Sequence, residues 1–241
     1  MLILALDTSS EFGSLAVLQD TAVLSQQATA PDEPYSSSVL RQARALLDSA
    51  QISFEQIDLL AVTGGPGSFT GLRVGLTTVK GWSEVWGIPI AAISGLQAMA
   101  AQVVHLPAPG SFVASVMDAR RGQVFGGVFR LQIGESGGIE RIGEEILAAP
   151  EEFAAVLRSH SHTQSLSAVA CFEPALIAPS IGRESLDCRI EVVSRVLAPF
   201  VGQLGYAKAL RGGVIDALHL DANYIRRSDA EMNWRVDKLL S

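Results

Sequence analysis

Twice in this chain a short apolar run closes on an aspartate: ILALD at residues 3–7 and SFVASVMD at residues 111–118. After each aspartate the same elements come in the same order. In the first half, FGSLAVL (12–18) alternates like a strand, and AVLSQQA (22–28) is a third. Residues 35–50 set Val39, Leu40, Ala43, Leu46 and Leu47 at helical spacing. A strand at 58–63 and a long helix at 69–86 complete the series, with Ser53 and Gln56 spaced as a capping box between. In the second half, GQVFGGVFRL and IERIGEEIL read as strands joined by a Gly-rich hairpin at 134–138. PEEFAAVLRSH starts as a helix at Pro150, SLSAVACF is a strand, and 194–210 is helical despite Pro199. Both halves read β-β-β-α-β-α. The expected fold is α/β, a duplicated ribonuclease-H-like core of the actin-like and sugar-kinase (ASKHA) kind. Residues 93–104 read as a linking helix, and Pro and Gly gather at 105–110. The expected domains are 1–106 and 107–241, with residues 172–195 lacking a clear pattern.

Length and composition narrow the function. A 241-residue chain with 48% hydrophobic and 18% charged residues can bury a sizeable core and leave apolar surface for a partner. A formal charge of −7 argues against gripping nucleic acid unaided, since phosphate binding relies on clustered Lys and Arg. Cys171 and Cys188 could pair, but two inert thiols is the simpler reading. MLILAL has no basic flank and is short for a signal core, and no run reaches the ~18 apolar residues of a membrane span. The expectation is a soluble, cytoplasmic protein.

GGPGSFTGLRVGL (64–76) lies between the fourth strand and the long helix. A glycine turn leading into a helix suits phosphate, because backbone N–H groups and the helix dipole favour an anion there. This one lacks the GK[ST] ending of a P-loop and the spacing of a dinucleotide fold. The helix itself is apolar on more than one face. Phe69, Leu72, Leu76, Val79 and Trp86 form a stripe, widened by Val74, Trp82 and Val85. Gly71 and Gly75 would let another backbone approach. Either the helix is buried wholly inside its own domain, or it packs between its own sheet and a partner.

In the expected architecture an acid ending the first strand can place a magnesium-bound water near a nucleotide phosphate. Asp7 fits that position, or it simply satisfies a tight turn with Thr8, Ser9 and Ser10. Asp118 is the counterpart, but Arg120 and Arg121 follow within three residues and could pair with it, which favours a structural hairpin. The histidines at 105, 160, 162 and 219 make no HxxxH or HExxH set, and there is no GxSxG elbow. His160 and His162 read as solvated surface. At the C-terminus Arg226, Arg227, Arg235 and Lys238 are interleaved with Asp229, Glu231 and Asp237, the pattern of a solvated face rather than an RNA patch.

ILALDTSS, GGPGSFTGLRVG, DARRGQVF and YIRRSDAE, in that order, resemble the bacterial TsaB (YeaZ-like) family, with little contribution from 165–200. The resemblance implies a subunit for making N6-threonylcarbamoyladenosine (t6A) on adenosine 37 of tRNAs that read ANN codons. It implies pairing, through the first domain, with TsaD, the transferase of related fold, and an assembly joined by the ATPase TsaE. It also implies a homodimer when alone, and tRNA contact made indirectly through the complex. TsaD-like proteins carry an HxxxH metal pair on the first-domain helix. Here that helix offers Tyr35-Ser-Ser-Ser-Val39, where relatives keep a histidine near position 35.

The expected interface is therefore Tyr35, Val39, Leu72, Arg73, Gly75, Leu76, Val79 and Trp82. Asp7, Gly65, Gly67 and Ser68 are candidate vestigial phosphate contacts, and no catalytic residue, metal or cofactor required by this chain is expected. ATP or ADP could still sit at a subunit interface. The competing functions are an autonomous ATPase of the same fold, which would need a second-half adenosine loop not evident here, and a metallopeptidase, which would need a ligand set.

Overall fold

A computed structural model describes residues 1–29, 33–104, 111–132 and 138–225. The doubled series is present. In the first half β1 (Leu2–Asp7), β2 (Ser14–Gln19) and β3 (Ala22–Ala28) form an antiparallel meander. Helix α1 (Tyr35–Ser49) leads to β4 (Leu59–Gly65), which returns parallel beside β1. Helix α2 (Phe69–Trp86) leads to β5 (Ile90–Ser94), giving the order β3-β2-β1-β4-β5. Helix α3 (Gly95–Ala101) comes next. In the second half β6 (Phe112–Asp118), β7 (Val124–Gln132), β8 (Gly138–Arg141) and β9 (Ile146–Ala148) are antiparallel. After α4 (Pro150–Ser161), β10 (Leu166–Cys171) pairs parallel with β6. Then come α5 (Ala178–Arg183), β11 (Arg189–Val192) on the sheet edge, and α6 (Ala198–Leu210).

The central strands are buried on both faces, which is why ILAL and LLAV read as unbroken apolar runs. Alternation then sorts the side chains. Leu4, Leu6, Leu60 and Val62 face α1 and α2, while Ile3, Ala5, Leu59 and Ala61 face the middle of the molecule. There α3 and α6 change sides. Helix α3, from the first half, packs on β6 and β7, and α6, from the second, packs on β1, β2, β4 and β5. A helix apolar nearly all round suits that buried position. Gly202 and Gly205 let α6 approach the sheet: a Cβ at either would stand within 3 Å of Leu18 or Ala61.

Several sequence expectations change. The linking helix begins only at Gly95, because Ile90–Ser94 is a fifth strand and Ser94 at once caps α3, accepting from the Gln97 amide. No turn residues separate the two elements. IERIGEEIL divides into β8 and β9 around Gly143, whose φ of 71° turns the chain. Residues 172–195 do hold structure, α5 and β11. Pro199 falls in the first turn of α6, where its missing N–H costs no helical bond. Both thiols are free, and burial with Asp187 pushes Cys188 up to about 11. The domain boundary at 106/107, His105, the 134–137 hairpin tip and the C-terminal arginines lie outside the described residues.

Candidate functional site

Open α/β sheets place ligands beyond the C-terminal ends of their parallel strands, here those of β1, β4 and β5. Asp7 ends β1 there and is fully buried. Its Oδ1 accepts from the Ser9 amide at 3.0 Å and the Ser9 hydroxyl at 2.7 Å, the tight-turn arrangement. Its Oδ2 has no partner among the described residues, and neither has the buried Thr63 Oγ1 on the neighbouring strand. Thr63 lies close enough to favour the charged carboxylate slightly, short of a hydrogen bond. Burial raises the Asp7 pKa nonetheless, with the Ser9 bonds opposing it. Asp118, the counterpart, is exposed and accepts the Arg120 amide at 2.7 Å, holding a turn in which Arg120 and Arg121 both have positive φ. It is a hairpin residue. No group of three or more His, Cys, Asp or Glu suited to a metal occurs among the described residues. His162 is exposed, whereas His160 is half-buried against Phe112, so the surface reading holds for only one of them.

The glycine loop does not form an open cradle. Ser68 caps α2, and its own amide donates to the Ser9 carbonyl at 2.7 Å. A Cβ on Gly67 would stand 2.3 Å from the Ser9 carbonyl oxygen, and one on Gly71 would stand 2.1 Å from that of Thr8. One on Gly75 would stand 2.2 Å from Thr8 Oγ1, whose hydroxyl donates to the Gly71 carbonyl at 2.8 Å. The glycine row thus clasps the turn just beyond Asp7. Gly65, at φ 125°, is held against Asn223, whose carbonyl oxygen lies 2.6 Å from its Cβ position. Tyr35 completes the enclosure: its hydroxyl donates to the Ser10 carbonyl, its ring occupies the space over Gly13, and burial raises its pKa.

The expected interface residues are mostly internal. Val39, Leu72, Leu76, Val79 and Trp82 are buried in this chain's own core, and Gly75 serves Thr8 rather than a partner. Of the set, Arg73 is exposed, stacked 3.9 Å over the Phe69 ring, and Tyr35 is half-buried. The correction has a physical cause: a helix lying on a sheet beside α1 needs a wide apolar face without any second chain. The outward ridge of α2 is instead Arg73, Thr77, Gly81 and Val85, one every fourth residue. Gly81 has open space where a Cβ would point. Trp86 is partly exposed and stacks on Phe54 at 4.5 Å, and Leu40 of α1 is 60% exposed.

A family model described as "TsaD: tRNA N6-adenosine threonylcarbamoyltransferase" matches residues 25–166, more than half of the chain. The chain belongs to this family. Its curated relatives include the tRNA threonylcarbamoyladenosine biosynthesis protein TsaB of Bacillus subtilis, 32% identical over 134 residues, which are 56% of this chain and 57% of that protein. The Escherichia coli TsaB is 33% identical over 125 residues, 52% of this chain and 53% of the relative. The matches thus span little more than half the length of these TsaB relatives. The solved structure of YeaZ from Pseudomonas aeruginosa superposes with a TM-score of 0.74 at 25% identity, covering 92% of this chain and 99% of that one. Within the TsaD family the chain is therefore TsaB-like (YeaZ-like). A ROK hexokinase from Thermus thermophilus, at TM-score 0.50 and 13% identity over 86% of this chain and 97% of its own, shares the fold alone. The architecture is the duplicated actin-like one.

Asn223 and Glu145, which bear on the glycine loop, carried no sequence signal. Glu145 sits in a run of charged residues, IERIGEE, that reads as exposed strand and turn. Only the fold brings it inward.

Proposed function

We propose that this chain is a non-catalytic partner subunit that binds and activates a TsaD-type transferase in t6A formation at position 37 of tRNAs reading ANN codons. The observation that carries the reading is the closed glycine loop. Gly67, Gly71 and the Ser68 amide, at a strand-to-helix turn where backbone N–H groups and the helix dipole would favour an anion, are engaged by Ser9 and Thr8. Asp7 is sealed beneath the same turn. The chain itself then requires no cofactor, and any ATP or ADP sits at the interface with another subunit.

The outward faces of α1 and α2 are the partner surface, with Leu40, Val85 and Trp86 as apolar contacts and Arg73 at the rim. Gly81 permits close approach of a partner helix. The same surface serves for a homodimer when the chain is alone. A TsaE-like ATPase joins the assembly, and the other subunits hold most of the tRNA, consistent with a net charge of −7. A cytoplasmic location fits that substrate, and no described helix is long and apolar enough to cross a membrane.

The test is reconstitution of t6A from purified TsaD- and TsaE-type proteins, read by nucleoside mass spectrometry, with and without this chain. Formation should depend on its presence. Full t6A formation without it would overturn the proposal, as would steady ATP turnover by this chain alone that Asp7→Ala abolishes.

A further inference from the structure

Glu145 lies between β8 and β9, in the second half, yet is only 7% exposed. Its carboxylate reaches into the first half. Oε1 accepts from the Ser94 hydroxyl at the end of β5, and Oε2 accepts from Asn223 Nδ2 at 3.0 Å. Asn223 in turn donates its backbone N–H to the Gly64 carbonyl at 2.7 Å, and its carbonyl presses on Gly65. The next residue, Tyr224, rests its ring 5.0 Å from that of Phe69, the first residue of α2. One carboxylate therefore joins the second sheet, the start of α3, the glycine loop and the C-terminal segment.

That segment is well anchored upstream, where Ile215 bridges to Ile90 and Ala217 and Leu220 enter the first core. Beyond Leu220 the ties to the loop run through Asn223 and Tyr224. Mutually satisfied polar networks rigidify what they connect, and here the Glu145 end is buried while Asn223 lies at the surface. Glu145 accepts from two different chain segments, so losing it releases both.

We propose that Glu145 is a positioning residue: through Asn223 it pins the C-terminal segment over the glycine loop and so fixes the first turn of α2. The second half then takes part in partner binding without touching the partner. This rests on the reading of α2 as the partner helix, but the pin itself can be tested without any partner.

The experiment is amide hydrogen exchange on the full chain, with titration of a TsaD-type subunit, for wild type, Glu145→Ala, Glu145→Gln and Asn223→Ala. In Glu145→Ala and Asn223→Ala, amides of residues 64–72 and 223–225 should exchange about tenfold faster, while those of β6 and β7 stay unchanged. Affinity for the TsaD-type subunit should weaken by a similar factor, about tenfold. Glu145→Gln should restore both, since its amide oxygen can accept from Asn223 and its NH2 can donate to Ser94. Wild-type exchange at 64–72 in a folded Glu145→Ala or Asn223→Ala protein would overturn the pin. So would faster exchange with unchanged affinity, or a Glu145→Gln protein as loose as Glu145→Ala. Should Glu145→Ala fail to fold, Asn223→Ala decides, because that residue is exposed at the surface. Failure of the wild type to bind at all would overturn the partner reading, leaving exchange to decide the pin.

Discussion

Asp7 and Thr63 face the same side of adjacent strands, each with a buried oxygen that has no partner among the described residues. A carboxyl whose pKa is raised by folding stabilises the fold only while protonated. That contribution is complete below the unfolded value, about 3.9, and is lost as pH rises through the folded one. At neutral pH, above the unfolded value, the burial of Asp7 is therefore a cost, with the ionisable Tyr35 nearby. Asp7→Asn keeps the Ser9 bonds and adds an amide that can donate towards Thr63. It should raise stability at pH 7 by about 1–3 kcal/mol, the cost of a buried polar atom left unmatched. The gain should shrink as pH falls through the folded value and be least below about pH 4, where the unfolded acid is protonated as well. Thermal melts at both pH values check this, and a variant less stable than wild type at pH 7 would refute it. Glu145 has the same sign: burial raises its pKa, against Ser94, Arg141 and Asn223 and together with Glu144.

At the scale of the element, α2 carries two kinds of glycine. Gly75 faces Thr8, and Gly81 faces open space. Gly75→Leu should destabilise the monomer by about 3 kcal/mol, because overpacking against a hydrogen-bonded turn has no easy relief. Gly81→Leu should leave the fold intact, or stabilise it by up to about 1 kcal/mol through helix propensity, while weakening both self-association and TsaD binding. Chemical denaturation and analytical ultracentrifugation separate these outcomes. Unchanged association in a folded Gly81→Leu protein would move the partner surface off this ridge. The bounds of α2 agree with the expected 69–86, and the structure ends it with Ser68 as N-cap and Gly87 at φ 66°. Which glycine faced inward was not legible, since spacing of four gives a common face without saying what lies against it.

At the scale of the molecule, the exchange of α3 and α6 between sheets makes the halves interdependent. A fragment of residues 1–106 keeps its own sheet but loses α6, the cover of Ile3, Ala5, Ala16, Leu18, Leu59 and Ala61. It should fail to fold alone, and should recover native-like dispersion in proton–nitrogen NMR spectra when mixed with residues 107–241. A cooperatively folded, monomeric 1–106 fragment would contradict this. The intact chain, at net −7, should bind tRNA more weakly than ~10⁻⁶ M at physiological salt. Filter binding across a salt series would reveal any tighter, salt-sensitive binding that contradicts it.

By itself the sequence determined the repeated strand and helix order, the two aspartate-ended strands, and the glycine-loop launch of α2, because local periodicity, caps and turn residues are written in neighbouring positions. Only the tertiary structure decided that Gly67, Gly71 and Gly75 clasp Thr8 and Ser9, that Leu72, Leu76, Val79 and Trp82 are internal, and that Glu145 reaches Ser94 and Asn223. Those are contacts between residues some 50 to 80 positions apart, and a side chain's neighbours across such distances depend on how whole sheets pack, which no local pattern encodes.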